Sequence, residues 1–213
     1  MEQLPIDIMQ KAVKGISYIG HPSRLRILEY LDVNGARSVS EITKALDEEQ
    51  MIISQHLRKL REAHLVKTKR RGIFIYYDIC EEYPASIFVC IRKLFGYMTN
   101  QFYFLQEGYK AILPKDYTAM VAGRIKTFAN LDKMRILEYL MINGRQCVSN
   151  IAQGVEMEPL RTTQTLKKLK EEEFVSSQRD GRYIFYEIAK GVHYTALQCI
   201  HKRYDNLKDK TQF

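Results

Sequence analysis

The sequence predicts an α+β fold, mainly α with small β-hairpins, built twice in one chain. Three observations lead there: a gapless internal repeat, a fixed order of helical segments inside each copy, and a β-rich pair of runs that closes each copy. RILEYLDVNG at Arg26–Gly35 returns as RILEYLMING at Arg135–Gly144, and the offset of 109 residues holds from Arg26–Ile79 to Arg135–Ile188. About 23 of those 54 aligned pairs are identical, far above chance. A solenoid needs at least about three repeats to bury its core, so two copies predict a duplicated domain. A chain of 213 residues is long enough for two small domains, each with its own core.

Within each copy the elements follow from periodicity and punctuation. Ile6, Met9, Val13 and Ile16 recur at helical spacing and predict a first helix. A second starts near Pro22, with proline in its first turn, and stops at Asn34–Gly35. Ser38-Val-Ser-Glu41 has the form of a capping box, in which Ser38 and Glu41 satisfy exposed N–H groups at the start of a third helix ending near Leu46. Asp47 or Glu49 opens a fourth, which turns Ile53, Leu57 and Leu60 inward. VKTKRRGIFIYYDI then reads as a hairpin around Arg71–Gly72. The second copy repeats the order, with Pro159 opening its fourth helix and Gly181 in its hairpin turn.

A long helix is expected after the first hairpin, where Ile87, Ile91, Leu94, Met98, Phe102, Leu105, Tyr109 and Ile112 make a near-heptad seam. Gly96 and Gly108 weaken it by about 1 kcal/mol each relative to alanine. Its counterpart, His193, Leu197, Ile200, Tyr204 and Leu207, is shorter. Pro114 and Lys115–Asp116 break the pattern between copies, which gives domains 1–113 and 114–213.

Composition narrows the function. A net charge of +8 and a pI near 9.2 favour a polyanionic partner. No run approaches the roughly 18 apolar residues of a spanning helix, and MEQLPIDIMQ has no basic-then-apolar signal pattern, so neither membrane insertion nor export is expected. Cys80, Cys90, Cys147 and Cys199 lie far apart with no C-x-x-C pair, which fits a reducing cytoplasm better than a disulfide framework. The chain has no G-x-G-x-x-G, P-loop, G-x-S-x-G or H-E-x-x-H, so neither an enzyme nor a cofactor is expected.

Three helices followed by a hairpin is the order of a winged helix-turn-helix, in which one helix lies in the major groove of DNA. The short Leu46–Gln50 connection suits its tight turn. Opposite the inward residues, the fourth helix carries Ile52, Gln55, His56 and Lys59, matched in the second copy by Arg161, Gln164, Thr165 and Lys168. Glutamine pairs bidentately with adenine, arginine with guanine, and Ile or Thr methyls meet the thymine methyl. Arg58, Lys59, Lys167 and Lys168 suit phosphates, which position without specifying sequence. Ser40, Ser54, Ser149 and Thr163 complete the candidate set on the helices. The first hairpin adds Lys67, Lys69, Arg70 and Arg71, whose mutual repulsion phosphate would relieve. The second offers Arg179 and Arg182 among Ser176, Gln178 and Asp180 and is less basic.

HPSRLRILEYL, SVSEITKAL and SQHLRKLREAHLVKTKRRGIFIYYDI together resemble the arsenical-resistance repressor (ArsR) family over Gly20–Ile79, with Asn130–Ile188 a weaker second match. The resemblance implies a prokaryotic repressor that binds operator DNA as a dimer through its fourth helix and wing, with the first and last helices forming the interface. The chain departs from the family in three ways. Two domains in one chain imply an intramolecular pseudo-dimer, with a homodimer as the alternative. The common glycine after the fourth helix is His64 here and Glu173 in the second copy. The thiol-rich metal motif is absent, Val39-Ser40-Glu41-Ile42 standing in its place, and His193 and His201 are too far apart along one helix to share an ion, so no metal is expected. The effector is left blank. Phe88, Phe95, Tyr97, Phe102, Tyr103, Phe104 and Tyr109, in and beside the long helix, are expected to form interface core. An apolar effector pocket between the two copies, redox sensing through Cys80 and Cys90, and a winged helix that binds protein instead of DNA stay open as alternatives.

Overall fold

The computed structural model describes residues 2–80, 91–92, 112–190, 197–198 and 201, which form two compact units, Lys14–Lys126 and Met1–Val13 with Thr127–Phe213. We call these the first and second units. Most of the long seam after the first hairpin, its shorter counterpart, and the aromatic cluster with Cys90 and Cys199 lie outside the described residues.

Helix α1 spans Ile6–Ile19. In the first unit α2 (Pro22–Asn34), β1 (Arg37–Ser38), α3 (Val39–Leu46), α4 (Gln50–Glu62), β2 (Val66–Arg71) and β3 (Phe74–Ile79) follow in order, and α5 spans Lys115–Thr127. The second unit repeats that order as α6 (Leu131–Asn143), β4 (Gln146–Cys147), α7 (Val148–Gly154), α8 (Pro159–Glu171), β5 (Val175–Asp180) and β6 (Tyr183–Ile188). Each sheet is antiparallel and three-stranded, ordered β1-β3-β2 and β4-β6-β5. The central strand is therefore the outgoing arm of each hairpin. Its extra partner, two residues long, sits immediately before α3 or α7 and is too short to leave a periodic trace in the sequence.

The local chemistry that starts α3 is present in full. The Glu41 N–H donates to Ser38 Oγ at 3.4 Å, while the Ser38 N–H and hydroxyl both donate to Glu41 Oε2, at 2.8 and 2.7 Å. These bonds hold the Glu41 carboxyl below its usual range. In the second unit Cys147 holds the equivalent cap position and makes no side-chain cap. That asymmetry reverses one element earlier: Asn130 Oδ1 caps α6 by accepting from the Lys133 N–H at 3.0 Å, whereas His21 leaves α2 uncapped.

The turn into each fourth helix, and the exit from it, use left-handed residues without glycine. Asp47 and Glu156 stand at φ 52° and 47°, and His64 and Glu173 at 54° and 60°. A side chain in that region costs about 1 kcal/mol or more. His64→Gly is therefore expected to raise stability by up to about 1 kcal/mol, read as a higher urea midpoint at unchanged m-value. A fall in midpoint would show that the His64 ring contributes packing that outweighs its backbone strain.

The cores are built from the faces that periodicity predicts. Leu25, Ile27, Leu28, Leu31, Ile42, Leu46, Ile53, Leu57 and Leu60 are buried in the first unit, and Ile136, Leu137, Ile151, Leu166, Leu169 and Phe174 in the second. Each such side chain contributes about 1.5–3 kcal/mol by leaving water. One member of each core is a glutamate. Glu29 is 1% exposed and its repeat mate Glu138 is 2% exposed. Glu138 Oε1 accepts from the Leu4 N–H at 2.8 Å and faces His201 Nε2 at 2.8 Å. Glu29 lies near the ion pair of Arg92 with Asp32, and the Leu113 N–H, Arg92 and Arg26 act on it. Leu4 and Leu113, and Arg92 and His201, stand at the same 109-residue offset, so the repeat extends beyond the segment where identity reveals it.

Candidate nucleic-acid interface

Burial of Ile53, Leu57 and Leu60 fixes the rotation of α4, because all three must point at the core. The opposite face is then set by the helical period. It carries Ser54, Gln55, Arg58 and Lys59, all exposed, with Ile52 at the edge. Arg58 pairs loosely with Glu62 at 3.6 Å, both of them solvated. Ser40 is exposed on α3, its hydroxyl 3.1 Å from that of Ser38. In the second unit the same logic, with Thr162, Leu166 and Leu169 inside, exposes Arg161, Thr163, Gln164, Lys167 and Lys168 on α8 and Ser149 on α7.

Two members of the sequence-derived set do not share these faces. His56 is half-buried against His21, the ring centroids 4.6 Å apart at an interplanar angle of 45°. Desolvation, then the positive charges around the pair, hold both imidazoles below their ordinary range, with Arg24 and Lys59 acting on each. Thr165, the repeat mate of His56, is 9% exposed, and its hydroxyl donates to the Arg161 carbonyl at 2.8 Å. The position one turn past Ile52 and Arg161 therefore packs inward in both units. Thr163 also spends its hydroxyl on the backbone, donating to the Pro159 carbonyl at 2.9 Å.

Arg161 is exposed but held. Its Nε and an NH2 group donate to Asp132 Oδ2 at 2.7 and 2.6 Å, across an open groove of about 640 Å³ lined by Arg135, Ser149, Glu156 and Glu158 among others. The first unit has Ile52 and Ser23 at these positions and cannot make this pair.

The hairpins place their cations at the exposed ends. Lys67, Lys69, Arg70 and Arg71 line β2, and the register sets Arg70 opposite Ile75 and Arg71 opposite Phe74. Arg70 Nε donates to the Gly72 carbonyl at 3.0 Å, and Arg179 Nε repeats that bond to Gly181 at 3.2 Å. Gly72 and Gly181 take φ 60° and 58°, which the tight turns require and other residues resist. Arg71 lies over the Tyr76 ring and Arg182 over Tyr183, at 5.1 and 4.9 Å from the centroids. These stacks aim the guanidiniums without neutralising them.

Residues 19–69 match a helix-turn-helix domain model. An uncharacterized HTH-type transcriptional regulator of Methanocaldococcus jannaschii is 33% identical over 85 residues, which are 40% of this chain and 96% of that protein. The arsenic resistance transcriptional regulator ArsR1 of Pseudomonas putida is 37% identical over 65 residues, 30% of this chain and 51% of that one. The chain belongs to the ArsR-like winged helix-turn-helix regulators. A further relative of this ArsR-like chain, the biofilm growth-associated repressor of Agrobacterium fabrum, is 31% identical over 97 residues, 44% of this chain and 82% of that protein.

Sequence reasoning missed the contacts that make the exposed faces of α4 and α8 differ in this ArsR-like chain. The His21–His56 stack joins α4 to the residue just before α2, and the Arg161–Asp132 pair joins α8 to α6, across sequence separations that no local pattern reports. Among the described residues no cluster of three or more His, Cys, Asp or Glu is placed to hold a metal ion, and no helix is long and apolar enough to cross a membrane.

Proposed function

We propose that the chain is a sequence-specific regulator of transcription, acting as a repressor, that reads a pseudo-palindromic duplex through α4 and α8. A single observation carries the reading. At equivalent positions, each unit exposes a glutamine and a lysine, Gln55 with Lys59 and Gln164 with Lys168, on the helix just before a hairpin tipped with arginine. The glutamines suit adenine edges, while the lysines and the hairpin cations suit phosphate. An acidic or apolar face there would have favoured a protein partner instead. The names of the similar regulators and repressors agree with this assignment.

On this reading the two tandem copies, taken as domains 1–113 and 114–213, act as the halves of a covalent pseudo-dimer. Its half-sites would lie about 34 Å apart, one turn of the double helix. The halves would not read the same base at every position. Ile52 offers a surface for a thymine methyl where Arg161 offers a fork for guanine, and Asp132 pre-orients that fork. Enrichment of bound duplexes from a random pool tests this. It is expected to yield one site per chain, with inverted half-sites that differ at the Ile52 and Arg161 position. Arg161→Ala is expected to lower preference at one base pair by roughly 1–3 kcal/mol while leaving binding to unrelated duplexes nearly unchanged. A uniform loss across all sequences would make Arg161 a phosphate contact, and the absence of any enriched site would remove sequence-specific reading.

A further inference from the structure

The first hairpin ends in apolar residues that the fold does not use. Ile73 is 83% exposed, Phe74 52% and Ile75 47%, at the tip of a two-residue turn whose geometry Gly72 sets. Exposed large apolar side chains on a hairpin tip cost solubility and contribute nothing to a core, so their presence points to a surface they meet. Their neighbours indicate which surface. Arg71 stands directly opposite Phe74 and Arg70 opposite Ile75, with Lys69 and Lys67 further along the same strand. An apolar point ringed by cations fits poorly into a protein pocket, where the cations would need partners. It fits an anionic groove with an apolar interior, which is what two phosphate backbones flanking stacked bases provide.

The geometry points to a minor-groove wedge: Ile73, supported by Phe74, enters between two base pairs while Arg70 and Arg71 hold the flanking phosphates. The inference rests on the DNA-binding reading above and adds a deformation to it. Such wedges partly unstack a base step and bend the duplex by roughly 20–90° toward the major groove, most readily at flexible pyrimidine–purine steps. The second hairpin also exposes Tyr183 and Ile184 but lacks the apolar residue at its point. Arg182 occupies the position of Ile73 and stacks over Tyr183, and Asp180 stands where the first hairpin has Arg71. Each bound duplex would therefore be bent on one side only, so the hairpins would reinforce the orientation that the Ile52 and Arg161 positions set. Sequence preference would also extend to a step that no polar side chain contacts.

The test uses the full chain and the duplex most enriched from the random pool, with 2-aminopurine scanned through its adenines and donor and acceptor dyes on its ends. The parent chain is expected to raise 2-aminopurine fluorescence at one step, in one half of the site, and to shorten the end-to-end distance. Ile73→Ser, at a position too exposed to affect folding, is expected to abolish the fluorescence rise, relax the bend and weaken binding about tenfold. Arg182→Ile is expected to create a second unstacked step in the other half. Tight binding with no unstacking, and with the same end-to-end distance for the parent and Ile73→Ser, would overturn the wedge and leave DNA reading intact. Failure to bind any duplex would overturn both. Co-sedimentation with vesicles of mixed phosphatidylserine and phosphatidylcholine, lost in Ile73→Ser while the DNA bend is unchanged, would assign the tip to a membrane surface instead.

Discussion

Replacing Arg70 and Arg71 together by glutamate is expected to weaken binding to every duplex, whatever its sequence, by about a hundredfold at physiological salt. Both guanidiniums are exposed, and their contacts within the fold are slight: one hydrogen bond to the Gly72 carbonyl and one stack on Tyr76. The folded state should therefore survive, with a circular dichroism spectrum and urea midpoint close to those of the parent. What changes is the field at the hairpin. Two cations that displace counterions from phosphate become two anions that phosphate repels. The slope of log K against log salt should flatten by about 2 or more, since each lost phosphate contact removes about 0.9. Anisotropy titration of specific and unrelated duplexes reads both effects. A loss confined to the preferred site would move these arginines from the backbone to base edges. The matching change of Arg179 and Arg182 should cost less, because Asp180 already offsets part of that hairpin's charge.

Glu29→Gln is expected to stabilise the protein at alkaline pH and to leave it nearly unchanged in acid. Burial pushes the Glu29 carboxyl up to about 8 from an ordinary 4.5, against the opposing pull of the Leu113 N–H and of Arg92 and Arg26. The unfolded chain gives up this proton at ordinary carboxyl pH, whereas the folded chain holds it. Stability from the protonated group is thus whole below about pH 4.5 and is lost as pH rises toward 8. Each pH unit of that window costs about 1.4 kcal/mol. Glutamine keeps the shape and has no proton to lose, so it should exceed the parent by roughly 4 kcal/mol at pH 8. Urea midpoints at pH 5 and pH 8 check the sign. Equal pH slopes for the two proteins would mean that Glu29 is already ionised in the fold. Glu138 should show a milder version. Its carboxyl is raised only to about 7, and it has His201 and the Leu4 N–H as direct partners.

These two positions also mark what a single sequence can and cannot disclose. The repeat, the helix order, the capping box at Ser38 and the hairpin turns at Gly72 and Gly181 were legible because each rests on spacing within a few residues, or on identity across one offset. Burial of Ile53, Leu57 and Leu60 followed from the same periodicity, and that fixed the outward face of α4. The strands β1 and β4 were not legible, since two residues carry no period and exist only by pairing with β3 and β6. Glu29 and Glu138 sit inside RILEYL in both copies, where an acidic residue reads as a solvent-facing position. Their partners lie up to 134 residues away, beyond any local signal. The same limit explains His56 and Thr165. Helical phase put them near the groove-facing edge, while His21 and the Arg161 carbonyl draw them inward.

The most direct test of the central reading is an anisotropy titration of a labelled genomic duplex with the full chain at two salt concentrations. Saturable binding at one chain per site is expected. Affinity should fall by at least about tenfold between 50 and 200 mM salt, the signature of several lysine and arginine contacts to phosphate. Binding that ignores salt, or no binding to any duplex at the lower concentration, would contradict it.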